Sequence, residues 1–175
     1  MTSLTDGDLK SGQRINPNRY SVIPRTLTFL ITDDQVLLLR LASDRGAWAG
    51  KFNGVGGHVE QAEDPLSAAL REVKEETGIT PSPLTLCGLV HIDVGENPGI
   101  SLYIYVGETH TPEIPTQTSE GIAEWQDISS LENLPVVEDL LLLFPKALEA
   151  YAAKKPFSAS YKLNNDGKIN IHFSE

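Results

Sequence analysis

Gly56-Gly-His-Val-Glu-Gln-Ala-Glu-Asp-Pro-Leu-Ser-Ala-Ala-Leu-Arg-Glu-Val-Lys-Glu-Glu-Thr-Gly-Ile79 is the stretch that decides the reading of this chain. It encodes a helix with a marked start and stop, running from Pro65 to Thr77. Asp64 can accept from the free N–H groups of the first turn, and Pro65 suits the first helical position. Gly78 suits the left-handed residue that closes a helix. Leu66, Ala69, Leu70, Val73 and Thr77 fall at i, i+3, i+4, i+7 and i+11, which predicts one core-facing stripe.

Beside that stripe stand Glu72, Glu75 and Glu76, at i, i+3 and i+4. Like charges at these spacings cost about 0.2–0.5 kcal/mol per pair. The helix dipole also disfavours anions in the last turns. Arg71 reaches Glu75 at i+4 and Lys74 lies nearby, but two cations are not expected to organise three carboxylates. A hard divalent cation such as Mg²⁺ would, because it takes carboxylate oxygens and brings substrate phosphates with it. A solvated acidic face is the other reading of the helix taken alone.

Outward from this helix the chain reads as strands. Tyr20–Thr32 is rich in β-branched and aromatic residues, Asp33-Asp34 makes a turn, and Val36–Ala42 returns. Ser43–Asn53 is a loop carrying Trp48, and Gly54–Glu60 reads as a short glycine-rich strand. Leu84–Val94 and Ile100–Thr109 are strands joined across Gly95–Gly99, and Glu124–Ile128 is a shorter one. A second helix is expected from about Val137 to Ala153. Its candidate buried face is Leu140, Leu141, Leu143, Phe144 and Leu148, and Pro145 should kink or divide it. Ser160–Phe173 is a hairpin around Asn165-Asp166-Gly167. Residues 1–19 are polar and aperiodic, a flexible arm before one domain over residues 20–175. Strands around two helices in irregular order imply a mixed α/β sandwich.

Composition limits the function. The 175 residues include 14 Lys and Arg against 24 Asp and Glu, a net charge of −10. A protein that coats nucleic acid would show clustered cations instead, so no nucleic-acid polymer is expected as a partner. A small polyphosphate remains compatible if metal ions bridge the two anions. Cys87 is the single cysteine, so no intrachain disulfide forms and a cytoplasmic location is expected. No signal peptide or membrane-spanning run is present, so no membrane partner is expected.

Spacing then narrows the chemistry. Gly57, five residues, Glu63, seven residues and Arg71-Glu72-Val73-Lys74-Glu75-Glu76-Thr77-Gly78-Ile79 match G-x5-E-x7-R-E-U-x-E-E-x-G-U at every specified position. This is the Nudix box, and the chain resembles the Nudix hydrolases, which cleave nucleoside diphosphates linked to another group. The resemblance implies an α/β/α sandwich, Mg²⁺ or Mn²⁺, a nucleotide as small-molecule partner, and water attack at phosphorus. It implies Glu72, Glu75 and Glu76 as metal ligands, joined by the Gly56 carbonyl. It further implies Glu72, Glu75 and Arg71 in catalysis, with Arg71 and Glu63 holding the loop and orienting the glutamates.

The surroundings of the box resemble the 8-oxo-dGTP diphosphatase branch. Lys51-Phe-Asn-Gly-Val-Gly-Gly-His-Val-Glu60 is similar to that branch's W-N-G-x-G-G-K-V-E, which puts Asn53 on the base pocket. Phe52 and His58 depart from the pattern, and His58 is expected at the surface. Thr118–Gln126 resembles the segment that supplies one more metal ligand, Glu120 or the nearby Glu124. Leu134–Pro145 resembles the segment whose acidic pair reads the oxidised base, here Glu138 and Asp139, with Val136 where the branch has Trp. Cys87, Tyr103 and Tyr105 are expected to pack in the core.

The leading expectation is hydrolysis of a nucleoside triphosphate, with 8-oxo-dGTP as a candidate, to monophosphate and pyrophosphate. A Nudix pyrophosphatase for ADP-ribose or a dinucleoside polyphosphate is the enzymatic alternative. A non-catalytic nucleotide-sensing domain would carry a broken box, and this box is intact.

Overall fold

The structure, a computed structural model, describes residues 18–81, 83–109, 117–163 and 169–174. The first 17 residues of the expected arm and the Asn165-Asp166-Gly167 turn lie outside them. Strands β1 (Val22–Ile31), β2 (Gln35–Leu41) and β3 (Phe52–Asn53) precede helix α1 (Pro65–Thr77). Strands β4 (Thr85–Asp93), β5 (Gly99–Glu108) and β6 (Gly121–Asp127) follow it. Helix α2 (Leu140–Ala153) and the hairpin β7 (Phe157–Leu163) and β8 (Ile169–Phe173) complete the chain. The strands form one mixed sheet in the order β3-β2-β1-β5-β4-β7-β8, with β6 paired to β2.

Period-two alternation distributes the core over both faces of the sheet. Leu27, Phe29, Ile31, Val36 and Leu38 pack with Leu140, Leu143 and Phe144 of α2. Leu30, Leu37 and Leu39 face the other way and pack with Val73 of α1 and Ile79. One helix therefore covers each face, and the expected α/β/α sandwich is the observed one. Among the described residues no helix is long and apolar enough to cross a membrane.

The sheet has an internal split that places the box. β1 and β2 pair only near their turn, at Leu30–Leu37 and Ile31–Val36. Beyond that point Gly54–Val59 wedges against β1, through Thr28 N–H to Val55 O, Val55 N–H to Thr28 O, Thr26 N–H to Gly57 O and Val59 N–H to Pro24 O. The expected strand over Gly54–Glu60 is therefore corrected. Regular pairing covers only Phe52–Asn53 on β2, and the glycine segment holds isolated bridges at Val55 and His58.

Three further expectations shift. α1 runs from Pro65 to Thr77 as read, with the Asp64 side chain accepting from Leu66 and Ser67 N–H and Gly78 in the left-handed conformation. Its buried face, however, is Ala68, Ala69, Val73, Glu76 and Thr77, while Leu66 and Leu70 are exposed. The helix is rotated to bring a glutamate inward in place of a leucine. Helix α2 begins at Leu140 and stays continuous through Pro145. Leu141 is exposed, and Ala147 and Ala150 complete its buried face instead. Strand β6 begins at Gly121, three residues before the expected Glu124. Cys87 and Tyr105 are buried and His58 is exposed, as anticipated.

Candidate active site

Arg71 organises the box. Its Nε donates to Glu63 Oε1 at 3.0 Å and its Nη2 to Glu63 Oε2 at 3.0 Å, a bidentate pair. Nη2 also donates to the His58 carbonyl at 3.0 Å. Nη1 donates to Glu72 Oε1 at 2.8 Å and to Glu75 Oε2 at 3.1 Å. A guanidinium has five N–H donors, and all five are engaged here. One cation thus joins Glu63, Glu72 and Glu75 but not Glu76, so the three helix carboxylates Glu72, Glu75 and Glu76 are not organised by Arg71 and Lys74, as expected. Lys74 turns instead to the Gly78 carbonyl and the Thr80 hydroxyl. Arg71 beside Glu63 holds that carboxyl below the usual carboxylate range. With no donor left over, Arg71 positions the glutamates rather than reaching a substrate.

Glu76 is the outlier of the cluster. Its residue is only 4% exposed, and one oxygen accepts the Gly56 N–H at 3.0 Å. Burial, reinforced by the charges of Glu72 and Glu120, pushes its carboxyl up to about 8. A buried carboxylate repelled by two others is short of positive charge, and hard divalent cations bind such oxygen sets. Among the described residues no three such side chains converge as a ready metal site, because Arg71 draws Glu72 and Glu75 toward itself. The donor chemistry fits Mg²⁺ or Mn²⁺: Glu72, Glu76, Glu120 and the Gly56 carbonyl are the groups that would hold it. Glu75, 61% exposed at its side chain, stands at the edge of this set.

Two glycines make the crowding possible. A Cβ on Gly56 would collide with the Thr26 carbonyl of β1, and one on Gly57 would sit 2.5 Å from Glu72 Oε1. The box loop can lie between β1 and the glutamates only without side chains at both positions.

A cleft of about 360 Å³ opens beside this cluster. Gly56, Gly57, Glu76 and Glu120 line one part of it, and Asn53, Glu138 and Asp139 line another. Asn53 accepts the Gly54 N–H through its own side-chain oxygen. Phe52 N–H donates to the Pro135 carbonyl and Val137 N–H to the Phe52 carbonyl, and these bonds carry the acidic pair to the cleft. Asp139 immediately precedes α2 and makes no side-chain cap. Burial raises its carboxyl, with the neighbouring Glu138 charge adding to the effect. Glu138 pairs with Lys51, which lowers its carboxyl, and Glu120 pairs with Arg45. Glu124 bonds Arg40 at 2.8 Å on the β2–β6 ladder and does not line the cleft, which leaves Glu120 as the acid at the site.

Sequence reasoning missed two cleft residues, Arg25 and Tyr161. Arg25 carried a signal: it alternates with Leu27, Phe29 and Ile31 and therefore shares their inward face. Tyr161 enters through the long-range pairing of β7 with β4, which no local pattern shows.

The NUDIX domain family model matches residues 23–151. An oxidized purine nucleoside triphosphate hydrolase of Danio rerio is 31% identical over 148 residues, covering 84% of this chain and 90% of that protein. The protein of the same name from Mus musculus is 28% identical over 145 residues, covering 82% and 88%. A crystal structure of a MutT protein from Bacillus halodurans superposes with a TM-score of 0.72 at 25% identity, covering 87% of this chain and 98% of that one. The NUDIX domain of Shewanella oneidensis NrtR, crystallised with ADP ribose, shares the fold with a TM-score of 0.68 at 16% identity, over 85% of this chain and 99% of that one.

Proposed function

This chain belongs to the NUDIX hydrolase family, and from that premise we propose that it hydrolyses a nucleoside triphosphate to monophosphate and pyrophosphate, preferring an oxidised purine such as 8-oxo-dGTP. One observation carries this reading. The proposed base-reading residues Asn53, Glu138 and Asp139 line the same cleft as Gly56, Glu76 and Glu120. A nucleotide bound there has its base and its phosphates served by one continuous surface. The names of the Danio rerio and Mus musculus relatives support the choice of substrate.

The geometry supports the following roles. Glu72 accepts the proton of the attacking water as oxygen bonds to phosphorus and the anhydride bond to the pyrophosphate leaving group breaks. Arg71 fixes the orientation of Glu72 through the 2.8 Å bond, and Glu63 and the His58 carbonyl fix Arg71 in turn. Glu75 shares Arg71 and is the second choice of base. Mg²⁺ or Mn²⁺, when bound, neutralises charge on the phosphate oxygens. Glu138 and Asp139 accept from N–H groups of the base, and the Asn53 amide both donates and accepts.

A substrate panel with product analysis tests the proposal. The expected result is monophosphate plus pyrophosphate, with kcat/KM higher for 8-oxo-dGTP than for dGTP. Equal values would sink the oxidised-purine assignment and leave a NUDIX hydrolase of broader range. Turnover of ADP-ribose or a dinucleoside polyphosphate in place of the triphosphates would replace the substrate class altogether.

A further inference from the structure

The side of the cleft formed by the sheet is aliphatic apart from its two ends. Arg25 of β1 pairs across to Leu102 of β5, Leu102 to Val90 of β4, and Val90 to Ala159 of β7, two residues from Tyr161. Arg25 and Tyr161 thus stand three strand spacings apart across the sheet and two residues apart along it, roughly 16 Å. Both line the cleft, with Ile100 and Leu102 between them. Asp139 lines the cleft together with Tyr161, whose hydroxyl is pushed up by burial and by the Asp139 charge.

Among the described residues Arg25 is held by no side-chain partner. Its Nε is buried without a hydrogen-bond partner, and among the described residues its side chain makes no ion pair. This contrasts with Arg71, whose every donor is engaged. A buried guanidinium donor left open in an aliphatic wall destabilises the fold, so its retention fits a group completed by a ligand. The ligand atom must be an acceptor, because a guanidinium only donates.

The position of Arg25 selects which acceptor, on the reading that the substrate is a purine triphosphate. The amide and amine N–H groups of an 8-oxoguanine ring lie on one edge, and the acids accept them at the Asp139 end. The opposite end of the fused ring carries C8. That end points along the cleft toward β1. We propose that Arg25 donates to the C8 carbonyl oxygen and is the residue that distinguishes an oxidised purine from the unoxidised one. The C–H at C8 of the ordinary base offers it nothing. Because the contact is to C8, the selection should be shared by guanine and adenine.

The experiment compares kcat/KM for 8-oxo-dGTP against dGTP and for 8-oxo-dATP against dATP, in the unmutated protein and in Arg25→Met and Arg25→Gln. Arg25→Met keeps the unbranched stem out to the level of Nε without a donor, and Arg25→Gln keeps an amide donor group. The expected result is that Arg25→Met lowers both oxidised-to-unoxidised ratios by about tenfold to a hundredfold, the range for a hydrogen bond to a charged group. Any loss on dGTP and dATP should be smaller than the loss on their oxidised counterparts, and Arg25→Gln should retain part of both ratios. Thermal melting of each variant verifies folding, and if Arg25→Met fails to fold, Arg25→Leu, which also lacks a donor, takes its place, and unchanged ratios in it overturn the proposal. A uniform loss on all four nucleotides would place Arg25 on the phosphates or sugar and overturn it as well. An unmutated protein that hydrolyses none of the four, or all four equally, removes the functional reading and this inference with it. Preserved ratios in Arg25→Met remove the inference alone.

Discussion

The two arginines of the site are opposites. Arg71 engages all five donors within the chain and ties the box loop to the helix, whereas Arg25 holds a buried donor open in the wall of the cleft. The Arg71 network is complete within the chain, although among the described residues the carboxylates beside it do not converge as a ready metal site. On the proposed function, the reaction end is positioned by internal pairing, and selectivity at the base end rests on polar groups that the fold itself does not satisfy.

The largest test of that contrast removes the cation from the reaction end. Excess EDTA should abolish pyrophosphate release, and a saturating divalent ion should stabilise the fold, by about 2.7 kcal/mol at a hundred times its Kd. Full activity in EDTA would remove the metal site. Next, Glu72→Gln keeps the shape of the side chain and its contact with Arg71 while removing the base, so kcat should fall at least about 10²-fold with a cooperative melting transition intact. Normal turnover would take Glu72 out of the mechanism.

Arg71→Lys sharpens the comparison from the other side. A single ammonium cannot span the Glu63 carboxylate, the His58 carbonyl and Glu72 together. Losing part of this half-buried network should cost about 1–3 kcal/mol, read as a fall in Tm of roughly 2–10 °C, with kcat reduced more than KM. An unchanged Tm would show that the loop is held by its backbone bonds to β1 alone.

At the base end the effects should be on choice rather than rate. Asp139→Ala should erase most of the preference for 8-oxo-dGTP over dGTP, without abolishing hydrolysis. The smallest expected effect is on stability against pH. Burial raises the folded-state carboxyl of Asp139. Its stabilising contribution is then full below the unfolded value of about 3.9 and is lost as pH rises through the folded value. Asp139→Asn should flatten the fall in Tm across that window, and parallel curves for the two proteins would show that Asp139 does not titrate there.

The same contrast explains what the sequence disclosed. α1 was legible at both ends because Asp64, Pro65 and Gly78 act locally, through capping and backbone conformation. Its rotation was not, since apolar periodicity assigns Leu66 and Leu70 inward and cannot anticipate that Glu72 and Glu76 turn toward the sheet. The box glutamates and their fixed spacing could be read because one helix holds them. The cleft could be read only in part. Asn53, Glu138 and Asp139 were found by likeness to a known branch, while Tyr161 arrives from a strand far along the chain. The wedge of Gly54–Val59 was mistaken for a strand because its partners, Pro24, Thr26 and Thr28, lie on an edge that β2 vacates.

That vacated edge gives β1 two separable inheritances. Its backbone N–H and C=O groups at Pro24, Thr26 and Thr28 hold the box loop, while its side chains at Arg25 and Leu27 line the cleft. A substitution at residue 25 or 27 rewrites what the cleft admits and leaves every one of those backbone bonds in place. Laboratory evolution for a different base should therefore find its useful variation at residues 25 and 27, where the side chains line the cleft and the loop-holding backbone bonds belong to their neighbours.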